Sequence, residues 1–235
     1  MTRIEGDSHH PVTFSFTSER EGRSSDGDPD INMLHLITKH VGNEGIYLDV
    51  AAGDGRYLKK VHESNPGLHI IAGDLNPKAL QALMLRLPED QANQVSPVVF
   101  DAFEHFPLQD ESASAVVCTA MLHLRPSSDI RKFAEEAHRV LNPSGILAID
   151  FSTNIRRVDP WGDIRHGPTE ADYILAEGIS VVKSTLNGLF EISELGVSNV
   201  RTLLAVQDRM AGGRFRKTSV DVTLKKVNVI AKKAA

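Results

Sequence analysis

The sequence predicts an α/β fold: a mostly parallel sheet with helices on both faces and an antiparallel hairpin at the C-terminal end. Three observations carry this. Short apolar runs alternate with apolar residues at helical spacing up to Phe151, the pattern of a parallel sheet covered on both sides. The stretch from Ile46 to Leu58 ends an apolar run near Asp49, passes Gly53 and Gly55, and then takes up helical spacing, which reads as strand, tight turn, helix. Two terminal runs, Val200 to Val206 and Val220 to Ile230, flank Gly212-Gly213 and read as a hairpin.

The elements follow in order. Residues 1–28 are rich in Ser, Gly, Asp and Glu with little periodicity, and read as a flexible segment. Asp28-Pro29-Asp30 starts a helix with a capping residue and a proline in the first turn, running through Leu34, Ile37 and Val41 to Gly42. A second strand runs from Leu68 to Asp74, and Leu75-Asn76-Pro77 opens the helix ending near Leu87-Pro88. Val98 to Phe103 and Val116 to Cys118 carry the third and fourth strands. Ser127-Ser128-Asp129 opens a helix to Leu141, and Leu141 to Gly145 turns into a fifth strand ending near Phe151. Asn154 to Thr169 reads as a loop of functional length. Ala171 to Leu195 reads as largely helical, with possible breaks at Gly178 and Gly188. The chain of 235 residues is enough for one sizeable domain, expected over 29–235, with 154–195 as a loop and helices on the substrate side.

The glycine turn points to a ligand. Glycine lets a bound nucleotide approach the backbone, and Asp74, about 20 residues past the turn, can accept hydrogen bonds from ribose hydroxyls. A dinucleotide fingerprint needs a third glycine where this chain has Leu58. Asp49 would also repel a phosphate. A carboxylate beside the turn suits a cationic ligand without phosphate, and S-adenosylmethionine, with an ammonium and a sulfonium, fits that description.

Together these segments resemble the class I S-adenosylmethionine-dependent methyltransferases. Asp49, Gly53 and Gly55 match the first motif, and Ala51 stands where the family has its first glycine. Asp74 and Leu75 resemble the second motif, whose acid holds the ribose and whose next residue packs on adenine. Asp101 and Ala102 resemble the pair that reaches the adenine edge. Leu108 to Ser112 resembles the loop into the fourth strand, and Thr119 to Leu124 the motif lining the methyl-transfer site. The resemblance covers about a hundred residues in order. It implies a seven-stranded, Rossmann-like sheet and S-adenosylmethionine as cofactor, with Asp49, Ala51, Gly53, Gly55, Asp74, Leu75, Asp101, Ala102 and Thr119 holding it. Phe14, Phe16, Arg20 and Arg23 would cover the cofactor if the N-terminal segment docks. A disordered tail is the alternative.

Methyl transfer needs orientation and exclusion of water, and a base only when the nucleophile is protonated. His123, after the fourth strand, is the candidate base, with a packing or capping histidine as its alternative. Asp150 is a second candidate, with a structural carboxylate at the strand end as its alternative. Met121, His123 and Trp161 are the candidate acceptor-side residues, although a lone tryptophan more often packs against a helix.

Composition bounds the rest. The single cysteine, Cys118, excludes an internal disulfide and reads as a buried core thiol in a cytoplasmic setting. No run is long enough to span a membrane, no apolar signal core follows Met1, and the ten histidines show no metal-ligand spacing. Net charge is −5, but from Val200 onward nine Lys or Arg face two Asp, +7, which leaves −12 for the remainder. That basic end fits either a solvated sheet edge or RNA. The expected function is methyl transfer to an O, N or C nucleophile of a small molecule. The alternatives are an RNA, notably tRNA, methyltransferase and a non-catalytic cofactor-binding partner of an active subunit.

Overall fold

The computed structural model describes residues 29–162, 164–165, 173–209 and 215–234. The predicted flexible segment 1–28 and the Gly212-Gly213 turn lie outside the described residues. Strands β1 (Gly45–Val50), β2 (Leu68–Asp74), β3 (Val95–Val99), β4 (Ala113–Cys118) and β5 (Leu141–Val158) pair in parallel. A two-residue β6 (Ile164–Arg165) pairs with the far end of β5, and β7 (Phe190–Arg209) and β8 (Phe215–Lys233) form the hairpin. The main path has seven strands in the order β3-β2-β1-β4-β5-β8-β7, and β8 runs antiparallel to both its neighbours. This is the predicted seven-stranded, mostly parallel sheet.

Alternation along the strands sorts the core into two layers. Tyr47, Ile70, Ala72, Ala115, Val117 and Ala148 pack under α1 (Ile31–His40), α2 (Leu58–Ser64) and α3 (Pro77–Arg86). Leu48, Val50, Val116, Cys118, Leu147 and Ile149 pack under α5 (Ser127–Val140) and α6 (Leu175–Leu186). A one-turn α4 (Glu89–Ala92) leads into β3. Asp30 caps α1, its carboxylate accepting the Asn32 N–H at 2.9 Å, so Pro29 precedes the cap and does not stand in the first turn as expected; Asn76 caps α3 with Pro77 in its first turn, where the sequence opens that helix. Cys118 is fully buried, and burial pushes its thiol pKa up, consistent with an inert core residue.

Several boundaries differ from the sequence reading; β4, β5 and both hairpin strands start earlier than expected, and three other differences are informative. The third strand starts earlier, at Val95, and ends at Val99; Pro97 is accommodated because β3 lies at the sheet edge. The fifth strand continues past Phe151 to Val158, so the first part of the expected loop is strand. Here β8 supplies partners, Arg156 to Val158 pairing with Thr223 to Asp221, after a break at which Asn154 takes a left-handed φ of 50°. The helix expected to reach Leu195 ends at Leu186, Gly188 turns the chain at φ +77°, and β7 begins at Phe190 against Lys233.

Gly178 does not break α6. It lies where the helix meets β5: an added Cβ would fall 2.3 Å from Thr153 Cγ2 and 3.2 Å from Phe151 Cδ1. Thr153 cannot turn away freely, because its hydroxyl donates to the Lys225 carbonyl at 3.2 Å. Alanine would gain about 1 kcal/mol of helix propensity, against about 1–3 kcal/mol for overpacking. Gly178→Ala is therefore expected to lower the urea midpoint despite the better helix former. A midpoint raised above wild type would show that α6 is free to move off β5.

Candidate active site

The carboxyl ends of β1, β2 and β4, with the loop after β3, surround one cavity of about 290 Å³, the scale of a small-molecule site. Ligands of open α/β sheets bind at this edge. Each wall is built locally. The β1 turn places Ala51 at φ 59° and Gly53 at φ 57°, and the Ala52 N–H donates to the Gly73 carbonyl at 2.9 Å, tying the turn to β2. The Gly53 N–H donates to Asp74 Oδ2 at 2.8 Å, and the Asn76 N–H donates to Asp74 Oδ1 at 2.8 Å. Both oxygens of Asp74 are thus fixed by backbone. After β3, Asp101 Oδ1 accepts the Phe103 N–H at 2.8 Å, an Asx turn that shapes the third wall.

Electrostatically the site is acidic and partly desolvated. Asp49 is buried, and burial pushes its pKa up to about 7, with the Asp74 charge adding and the Arg56 guanidinium opposing. Burial also raises the Asp74 pKa, while the amides of Asn76 and Gly53 pull it back. Burial holds the Tyr57 hydroxyl protonated, its pKa raised further by Asp150.

The cavity brings together Asp49, Ala51, Gly53, Asp74, Leu75, Asp101, Ala102, Thr119 and Met121 of the residues expected from sequence. Four others stand elsewhere. Gly55, at φ +78°, packs on α3, where a Cβ would fall 2.9 Å from Leu83 Cδ1. His123 is buried off the cavity wall with its ring edge-on to Phe151 at 6.4 Å. Asp150 is fully buried; it accepts the Ala120 N–H at 2.6 Å and the Lys226 ammonium at 2.9 Å. Trp161 is half exposed outside the cavity, its backbone N–H donating to Asp159 Oδ1 at 3.0 Å. Sequence reasoning missed Arg56, Tyr57, Phe100, Phe103 and Arg125 as lining residues, while Leu124 stands in the motif expected to line the methyl-transfer site. Arg56 and Tyr57 directly follow the second turn glycine, and Arg125 stands four residues before its ion-pair partner Asp129, at 2.6 Å. Those spacings were the available signals.

Residues 48–145 match the family described as the methyltransferase domain. Over that part the chain is similar to the class I S-adenosylmethionine-dependent methyltransferases. Solved structures agree in fold. A methyltransferase of Methanosarcina mazei is 17% identical, with 84% of this chain and 96% of that one covered and a TM-score of 0.56. A TehB-like methyltransferase of Corynebacterium glutamicum is 12% identical, with 88% and 90% covered and a TM-score of 0.55. A glycopeptide N-methyltransferase solved with S-adenosylmethionine is 18% identical, with 84% and 87% covered and a TM-score of 0.55. The methyltransferase family matched over 48–145 implies S-adenosylmethionine as cofactor. The cavity's chemistry fits it: the buried Asp49 and the part-buried Asp74 for a cationic, hydroxyl-bearing ligand, and open space where a Gly53 Cβ would stand. Among the described residues no group of three or more His, Cys, Asp or Glu is placed to hold a metal ion, and no helix is long and apolar enough to cross a membrane.

The raised Asp49 pKa has a stability consequence. A carboxyl titrating near 4 in the unfolded chain and about 7 in the fold binds its proton more tightly when folded. Its stabilising contribution is full below about pH 4 and is lost as pH rises through about 7. In cofactor-free protein, Asp49→Asn should flatten the fall in stability between pH 5 and 8 and exceed wild type at pH 8. Urea unfolding across that range measures it; parallel wild-type and variant curves would refute the shift.

Proposed function

We propose that this methyltransferase moves a methyl group to an O, N or C nucleophile of a small-molecule acceptor, which enters the cavity on the Met121 side. The observation that carries the reading is the Asp74 carboxylate, held by two backbone amides at the edge of a partly apolar cavity. With both N–H bonds made, each oxygen retains acceptor capacity for ribose hydroxyls. Asp49 supplies negative charge for the ammonium of the methionine moiety, Leu75 an exposed apolar face for adenine, and Asp101 with Ala102 its edge. Thr119, Ala120 and Met121 form the wall where the methyl group would face the acceptor.

When bound, the cofactor supplies a methyl group activated by its sulfonium. The chain's own part is to orient and to exclude water. We assign His123 to packing, since its ring lies edge-on to Phe151 and off the cavity wall. Met121, Leu124 and Phe103 give the acceptor side an apolar character, and Arg125 stacks over Phe103 at 4.5 Å. A solved relative in fold is named for N-methylation of a glycopeptide, which favours an acceptor other than nucleic acid. The basic end supports the same choice. Arg201 pairs with Asp221 at 2.5 Å, Lys226 with Asp150 at 2.9 Å and Lys233 with Glu111 at 3.1 Å. These cations are engaged within the fold.

Two measurements test this. Calorimetry with S-adenosylmethionine should show binding in wild type and a weakening of about 10–100-fold in Asp74→Ala, the loss of a charge-assisted acceptor. Gly53→Val should remain folded by circular dichroism and bind poorly, because its side chain would occupy the cavity. Unchanged affinity in Asp74→Ala would place the cofactor elsewhere.

For the acceptor class, bulk tRNA should bind weakly at all salt concentrations. Tight binding that falls steeply with salt and vanishes in Arg214→Glu/Arg216→Glu/Lys217→Glu would make RNA the acceptor instead.

A further inference from the structure

We propose that the buried Asp150–Lys226 pair is a positioning device that sets the methyl-side wall of the cavity through the backbone of Ala120. It rests on the reading of this cavity as the cofactor site. The pair spans two strands: Asp150 on β5 and Lys226 on the antiparallel β8, where Lys226 stands opposite Ser152. Asp150 is fully buried and Lys226 is 4% exposed. The two carboxylate oxygens face different partners, Oδ1 taking the Ala120 N–H at 2.6 Å and Oδ2 the Lys226 ammonium at 2.9 Å. The ammonium thus fixes the carboxylate's orientation, and the carboxylate fixes the loop.

The loop needs such a hold. Ala120 has φ 58°, a left-handed conformation that alanine disfavours. Its neighbours Thr119 and Met121 both line the cavity. If Ala120 relaxed to a negative φ, both flanking side chains would be re-aimed. A buried ion pair is a poor source of stability, since well-packed apolar residues of similar size often replace one at no loss. What apolar residues cannot replace is the acceptor for the Ala120 amide. Asp150 therefore acts through Ala120 as a positioning residue and touches no reacting atom.

Two charge-free double variants separate this from a merely structural role. Asp150→Asn/Lys226→Met keeps an oxygen acceptor, and Asp150→Leu/Lys226→Met removes it. We expect the first to bind S-adenosylmethionine within about threefold of wild type. The second should bind about tenfold or more weakly, as for loss of one positioning hydrogen bond to a charged group, with a urea midpoint no lower than the first. Equal affinities in the two variants would overturn the proposal. If the leucine variant does not fold, amide exchange of ¹⁵N-labelled wild type decides: an Ala120 amide protected like those of β4 supports the hold, and one exchanging like an open loop refutes it. Normal affinity in Asp74→Ala sinks the site reading, whereas normal affinity in the leucine variant sinks only this inference.

Discussion

A carboxylate at the end of a buried parallel strand has to be satisfied, and the way each one is satisfied shapes this protein. Strands β1 and β2 end near Asp49 and Asp74, and the parallel pairing of β5 with β4 stops beside Asp150, each carboxylate wholly or partly removed from water. Desolvation of a lone carboxylate is costly. Asp74 is met by two amides from two different turns, and in meeting them it locks the β1 turn to the start of α3. Asp150 is met by one amide and one ammonium, which locks the β4 loop to the hairpin. Under the proposed function, the acid that would hold the ribose is fixed by the same hydrogen bonds that fix the turns. A change to either acid moves backbone as well as charge.

The hairpin contributes more than an edge. β8 carries Lys226 to Asp150 and Asn228 to Ser198, whose hydroxyl donates to Asp30 Oδ2 at 2.7 Å. The Asp30 N–H in turn donates to the Tyr57 hydroxyl at 3.2 Å, and Tyr57 lines the cavity. A chain of side chains therefore runs from the last strand, across the start of α1, to the cavity wall. Lys39 and His40 at the end of α1 both meet Glu194 of β7, the latter at 2.7 Å, which pins the other end of that helix to the same hairpin. The antiparallel pair acts as the frame against which the first helix and the loop after β4 are both referenced.

What could be read from the sequence was what is local. The strand–turn–helix at Asp49 to Leu58, the caps at Asp30 and Asn76, and the cavity residues Asp74 and Asp101 all depend on neighbours within a few positions. Residue type and spacing carry that information. The reading faltered where a distant segment decides. Residues Asn154 to Val158 have no strand signature of their own and become strand because β8 is long enough to pair with them. Phe190 to Leu195 follow a helical stretch and switch to strand through Gly188 and pairing with Lys233 to Val229. His123 and Asp150 sit where motif spacing suggests reactivity. Their roles are set instead by Phe151 packing and by Lys226, 76 residues further along the chain.

Two left-handed alanines shape opposite walls of the cavity. Ala51 occupies the position of the first motif glycine and holds φ 59°, and Ala120 holds φ 58° on the opposite wall. A left-handed alanine costs about 1–2 kcal/mol relative to its preferred conformations. Each is retained because adjacent backbone is anchored: the Ala52 N–H on the Gly73 carbonyl, and Ala120 itself on Asp150. The cost is local, and the return is a backbone that curves away from the cavity with only a methyl group on each bend. Glycine would adopt the same angles more cheaply but would also leave them more freely. Strain held by a hydrogen bond on either wall gives a cavity whose shape is set before a ligand arrives.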